Sequence, residues 1–212
     1  RLEFPKRLSE ILQASINLYG VFKLSRLINL WEIKYPKDEL SREFLNQFNQ
    51  HLPLLMIQND CRWVGSLIVS PNFETDMEAV NLYTEIQAKM GMDFYQPTAK
   101  EIAYYSKHPV DRRSTHYKRL KRLVNRLSEN PEYVMGALET NLMFGHPLSA
   151  VMNELSEQDL LIFDSQRQVE QFAEHYIYLH NHTRLWENAG YMPVERRPDP
   201  LPDDMYSIYP AP

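Results

Sequence analysis

The segment SKHPVDRRSTHYKRLKRLVNRL, residues 106–127, holds eight Lys and Arg against one Asp, a local charge of +7 in a chain whose formal net charge is −5. The other segments sum to +2 over 1–72, −4 over 73–105, −8 over 128–192 and −2 over 193–212, so the basic block stands alone. The chemistry open to such a block is anion binding, and nucleic acid is the polyanion that rewards it most, because each neutralised phosphate releases condensed counterions. A helix from about Ser114 would bury Tyr117, Leu120, Leu123, Val124 and Leu127 and turn Lys118, Arg119, Lys121, Arg122 and Arg126 outward. Arg112 and Arg113 sit just before it. The ordinary alternative is a solvated helix whose cations pair with the acidic segments on either side.

A second group of polar side chains, Asn46, Gln47, Asn49 and Gln50, lies on a predicted helix over 41–51. Asn and Gln can contact adenine edges through two hydrogen bonds each. That helix has Arg42 as its one cation, with Glu43 beside it, and Arg62 is the one cation of the β-prone run that follows. DNA contact there would need phosphate affinity from elsewhere, and a protein-binding surface is the competing reading.

Other chemistries find less support. YLHNHTRLWENAGYMP, residues 178–193, is dense in polar and aromatic residues. On one helix, His175 and His182 flank a common seam while His180 is rotated away, and neither HExxH nor HxxEH spacing occurs, so a metal tripod within the helix is not expected. Glu74, Asp76 and Glu78 suit a helix N-terminus better than a metal. Cys61 is the sole cysteine, which excludes an intrachain disulfide and a thiolate zinc site and reads as a small core residue. Six glycines leave little scope for a phosphate-cradling loop, and no P-loop, G-x-G-x-x-G, G-x-S-x-G or kinase pattern is present. No catalytic residue, metal ligand or cofactor is assigned, and a non-catalytic role is favoured over an enzyme.

These residues need elements to hold them. Leu8, Ile11, Leu12, Ile16 and Tyr19 recur at helical spacing before Gly20, and Leu24, Leu27, Ile28 and Trp31 do so before Pro36. Phe44, Leu45, Phe48 and Leu52 share a face behind the N-cap candidate Ser41. LLMIQ and RWVGSLIVS then read as two strands of a hairpin, 54–58 pairing with 62–69. Three helices and a hairpin is the element order of a winged helix-turn-helix, in which the third helix enters a groove and the hairpin is the wing.

From Pro71 the pattern is all-helical: about 75–90, then 98–107 behind a Thr98…Glu101 capping box, 114–127, a helix opened by Asn130 and Pro131 and ended near Gly145, and a short one over 148–155. A long helix from 164 or 165 to about Asn188 follows, stopped by Gly190, with Val169, Phe172, Tyr176, Leu179, Thr183 and Trp186 on its buried seam and Arg184 paired with Glu187 on its exposed face. Six prolines in the last twenty residues predict an extended tail. The expected fold is mainly α: a winged-helix-like module over 1–72, a helical domain over 73–192 and a Pro-rich tail over 193–212.

LYGVFKLSRLINLWE, FYQPTAKEIAYY and HNHTRLWENAGYMPVE together resemble helical proteins of Gram-positive bacteria without an assigned activity, some of which continue into a cysteine-rich zinc module of the SEC-C type. The resemblance implies a bacterial helical protein; with Cys61 alone, no zinc ligands of that module carry over. The 43% hydrophobic and 24% charged composition is that of a soluble globular chain, and no run reaches the roughly 18 apolar residues of a spanning helix, so a membrane partner is not expected. The lack of a secretory signal predicts a cytoplasmic protein, and the missing initiator Met predicts that the sequence continues a longer one. The functional expectation is a non-catalytic nucleic-acid-binding or regulatory module that contacts DNA or RNA through 106–127. The alternative is an adaptor that docks other proteins through the first module and the tail.

Overall fold

The computed structural model describes residues 3–91 and 93–196. They are mainly helical, with one small three-stranded antiparallel sheet. The chain divides between Pro109 and Val110 into two compact units.

In the first unit, α1 (Glu3–Tyr19) leads through Gly20 into β1 (Val21–Lys23), then α2 (Leu24–Lys34), α3 (Arg42–Gln58), β2 (Arg62–Val64), β3 (Leu67–Val69), α4 (Asp76–Met90) and α5 (Ala99–Tyr105). From Ala14 to Tyr19 every residue of α1 is buried, because α2, α3 and α5 all pack against it. Its polar side chains are satisfied accordingly: Ser15 Oγ donates to the Ile11 carbonyl at 2.9 Å, Asn17 Nδ2 to the Tyr105 carbonyl at 2.6 Å and Tyr19 OH to the Tyr95 carbonyl at 2.8 Å. Ser41 caps α3 by accepting from the Phe44 N–H at 3.2 Å, and the capping box of Thr98 and Glu101 forms as expected.

The hairpin differs from expectation. Residues 54–58 are the last turns of α3, not a strand. Leu52, Leu55 and Met56 prolong the buried seam begun by Phe44 and Phe48, and Leu and Met are strong helix formers. Pro53 is tolerated inside the helix because it lies on the exposed side, where water can satisfy the carbonyl its ring leaves without a donor. RWVGSLIVS instead folds on itself through Gly65 and Ser66, pairing Arg62 with Val69, Trp63 with Ile68 and Val64 with Leu67. The other edge of β3 pairs with β1, Val21 opposite Val69 and Lys23 opposite Leu67, giving the order β1-β3-β2. The VFK strand is too short to show in periodicity, and it closes the sheet against the helices. α4 packs on β1 and α5 on α1, so both belong to this first unit.

The second unit runs α6 (Thr115–Leu127), α7 (Pro131–Phe144), α8 (Leu148–Glu157), α9 (Gln166–Asn181), a 3₁₀ turn (Trp186–Asn188) and α10 (Pro193–Arg196). α6 packs most extensively on α9 and also on α7. Tyr117, Leu120, Leu123 and Val124 of α6 are buried, as are Phe172, Tyr176 and Leu179 of α9.

The long helix predicted to reach Asn188 stops at Asn181. No Gly or Pro breaks it; tertiary contacts do. The Arg184 guanidinium is buried and donates to the Gly190 carbonyl at 3.2 Å and to Glu195 Oε2 at 3.1 Å, which a continued helix would have aimed elsewhere. Arg184, expected on the exposed face, is buried and forms an ion pair with Glu195. Trp186 is fully buried, as expected, but on the 3₁₀ turn, edge-on to Phe144 at 4.8 Å. Of the extended tail, Pro193–Arg196 is helical, with proline at the position where a helix start accepts it, and 197–212 lies outside the described residues. Among the described residues no helix is long and apolar enough to cross a membrane.

Candidate functional site

The basic segment separates into two kinds of residue. Arg112 is structural: its Nε and Nη2 donate to the two carboxylate oxygens of Glu139, both at 2.7 Å, and Tyr117 OH adds a third bond to Oε1 at 2.6 Å. Glu139 is 5% exposed, so this network keeps a buried carboxylate compensated. Arg113 is held by Asp111 in an exposed bidentate pair at 2.8 and 3.1 Å.

Lys118, Arg119, Lys121, Arg122 and Arg126 are different. Ser114 fixes the start of α6 by accepting from the Tyr117 N–H at 3.0 Å, and the buried seam sets the rotation of the helix. At 3.6 residues per turn the five cations then cover about 160° of the opposite side. All five are exposed, and none forms an ion pair among the described residues. Within the second unit, the acidic segment that follows the block in sequence therefore forms no ion pair with these five among the described residues.

On α3, Asn46 and Gln50 are exposed, while Gln47 is half-buried and donates to Glu43 Oε1 at 3.1 Å. Leu45, Leu54 and Ile57 are exposed on the same helix. Arg62 on β2 is engaged by Asp76 and the Phe73 carbonyl, so it is not available as a free phosphate contact. The residues of α3 and those of α6 lie in different units.

One cluster escapes one-helix arithmetic. His180 Nε2 meets the Gly145 carbonyl at 3.0 Å and His182 Nδ1 the Tyr178 carbonyl at 2.8 Å. But His116, from the first turn of α6, places its Nδ1 3.1 Å from Nδ1 of His175 on α9, the rings at 75° to one another. With Glu174 they offer three ligand atoms all within 4.8 Å of one another. The His116 ring stacks on Tyr178 at 3.8 Å, and Tyr178 stacks on His182 at 4.0 Å, so the imidazole is held in a parallel column. Burial pushes the pKa of both imidazoles down; Glu174 opposes this and Arg119 reinforces it. Local spacing, His116, Leu120, Leu123 and Leu127 at steps of four, three and four, puts His116 at the edge of the packed seam, but its approach to His175 is non-local and leaves no such signal.

Cys61 is buried and its thiol is pushed up to about 11, chiefly by burial, which leaves it inert as a nucleophile. Glu74, Asp76 and Glu78 serve the start of α4 and its neighbour: Thr75 caps the helix, Glu78 accepts from the Glu74 N–H at 3.1 Å, and Asp76 pairs with Arg62. Comparison of the chain with protein-family models, with curated proteins and with solved structures finds no match to it.

Proposed function

We propose that this chain is a non-catalytic nucleic-acid-binding module whose affinity comes from α6. The observation that carries the reading is the exposed arc of Lys118, Arg119, Lys121, Arg122 and Arg126, with which no described carboxylate of the second unit forms an ion pair. A helix that keeps five cations unpaired in a chain of net charge −5 is arranged for an external polyanion. The first unit is read as a winged helix: β1 between the first two helices pairs with β3 and ties the hairpin to the helical body, and α3 is the helix that would enter a groove. Asn46 and Gln50 are its exposed base-reading candidates, and Gln47 would have to leave Glu43 to join them.

The test is binding of labelled duplex and single-stranded oligonucleotides between about 50 and 200 mM salt. If all five cations meet phosphates, log affinity should fall against log salt with a slope of about −4.5 on duplex. Affinity that does not change with salt, or no binding at low salt, overturns the reading. A second reading, a protein-binding adaptor, has its own observation: Leu54, Ile57 and Trp63 of the first unit are 59%, 72% and 46% exposed, and the surface of α3 is poor in cations. It takes first place if the salt test fails.

A further inference from the structure

We propose that His116, Glu174 and His175 form a binding site for a divalent transition-metal ion of the zinc type, which staples the first turn of α6 to α9. This goes beyond nucleic-acid binding and does not depend on it.

Two nitrogens bound to one tetrahedral ion, each about 2.0–2.1 Å from it, lie about 3.3 Å apart. The Nδ1 atoms of His116 and His175 are 3.1 Å apart, so an ion could bridge them with a displacement of a few tenths of an ångström. Glu174 brings Oε1 to 3.8 Å from the same Nδ1 of His175, inside the reach of a third ligand. Imidazole and carboxylate are the donors that zinc and its first-row neighbours share, whereas magnesium and calcium prefer an all-oxygen shell.

The ligands are also held from outside. His175 is buried, and the packing of α6 on α9 fixes its distance from His116. His116 is further oriented by its stack on Tyr178. Such support of ligands by their surroundings is what distinguishes a site from a chance approach of histidines. The Glu174 side chain is 60% exposed, so the three ligands leave a position open to water. Arg119 lies close enough to oppose a cation, and the Glu174 carboxylate, in direct reach of the ion, offsets it.

Without an ion, two Nδ1 atoms at 3.1 Å require one ring to carry its proton on Nδ1 and donate to the other. With an ion, both rings carry the proton on Nε2 and both Nδ1 lone pairs ligate. No net proton is released, and each neutral ring keeps one N–H.

The experiment uses the full chain, stripped with a chelator and titrated with Co²⁺ and then Zn²⁺ alone, without nucleic acid. The expected result is saturation at one equivalent of Co²⁺ with visible absorption, displacement by Zn²⁺, and a melting temperature that rises with Zn²⁺ and then levels off. E174Q should weaken binding by more than about tenfold, the lower bound for losing even an outer partner of a ligand. H116A and H175A should abolish one-equivalent binding, and H51A, in the other unit, should leave it unchanged. Long-range ¹H–¹⁵N spectra of the parent should show His116 and His175 both ligating through Nδ1, which keeps the test decisive if an alanine variant fails to fold. Absence of saturable one-equivalent binding, its survival in H116A and H175A, or unmoved imidazole signals overturns the site. None of these outcomes bears on oligonucleotide binding, so failure here leaves the reading of α6 standing.

Discussion

Arg112 and Glu139, 27 residues apart, meet in a two-bond ion pair whose carboxylate is buried while the guanidinium reaches the surface. This pair separates cations spent on the fold from cations available to a ligand. Replacing Arg112 by Ala leaves a buried carboxylate with Tyr117 as its strong remaining donor and should destabilise the second unit by about 1–3 kcal/mol, less than a fully buried pair because Arg112 is 42% exposed. Arg113→Ala removes an exposed pair and should cost under about 1 kcal/mol. Denaturant unfolding of the two variants checks this, and equal losses would contradict the division.

Trp186→Ala should cost about 3–5 kcal/mol, because the indole is fully buried and packs edge-on against Phe144. Thermal or denaturant melts read it directly. A melt indistinguishable from the parent would mean that the 3₁₀ turn does not belong to the core.

Trp186 also shows how far the sequence could be read. The spacing of apolar residues located most helices and the burial of Trp186 itself, and residue type marked the caps at Ser41, Thr98 and Asn130. It missed what depends on distant partners. The end of α9 is set by Arg184 reaching Glu195, and β1 exists only by pairing with β3. The miss at 54–58 was of another kind: its seam continues that of Phe44 and Phe48 at local helical spacing, which the β-prone look of LLMIQ masked. The cationic arc was legible, since amphipathic phase is local. The lack of carboxylate partners and the approach of His116 to His175 were not, since both depend on what packs beside α6.

Gly145 ends α7 in the left-handed region at φ 80°, and a Cβ there would lie 2.6 Å from Glu187 Oε1. Gly145→Ala should therefore cost about 1–2 kcal/mol in backbone strain, plus whatever is needed to move the Glu187 side chain. Adding Glu187→Ala should recover the steric part and leave the backbone part. A double-mutant cycle measures the coupling, and strict additivity would show that Glu187 yields freely.

Cys61 gives a pH signature. Its thiol is pushed from an ordinary 9.0 up to about 11, mainly by burial, so the fold favours the protonated form. The stability tied to this group is fully present below pH 9 and is lost as pH rises from there through about 11. Cys61→Ala should flatten the alkaline fall in stability over that window. In the parent, a thiol-reactive disulfide reagent near pH 8 should react slowly until denaturant is added. Rapid labelling of the folded chain would refute the assignment.

The two proposed nucleic-acid surfaces should fail in different ways. Arg122 and Arg126 project from α6, away from its packed seam, so R122E/R126E should leave the fold intact. It should weaken binding to every sequence and flatten the log affinity against log salt plot by about 1.8 units on duplex, because phosphate contacts supply affinity without discrimination. N46A/Q50A on α3 should behave oppositely: the salt slope stays, and discrimination between preferred and mismatched sequences falls by about 1–3 kcal/mol for each lost base contact. Competition binding with randomised duplex pools, read at two salt concentrations, separates the effects. If N46A/Q50A changes neither affinity nor preference while R122E/R126E removes binding, α6 alone is the nucleic-acid surface, and the exposed Leu54 and Ile57 of α3 become the place to look for a protein partner.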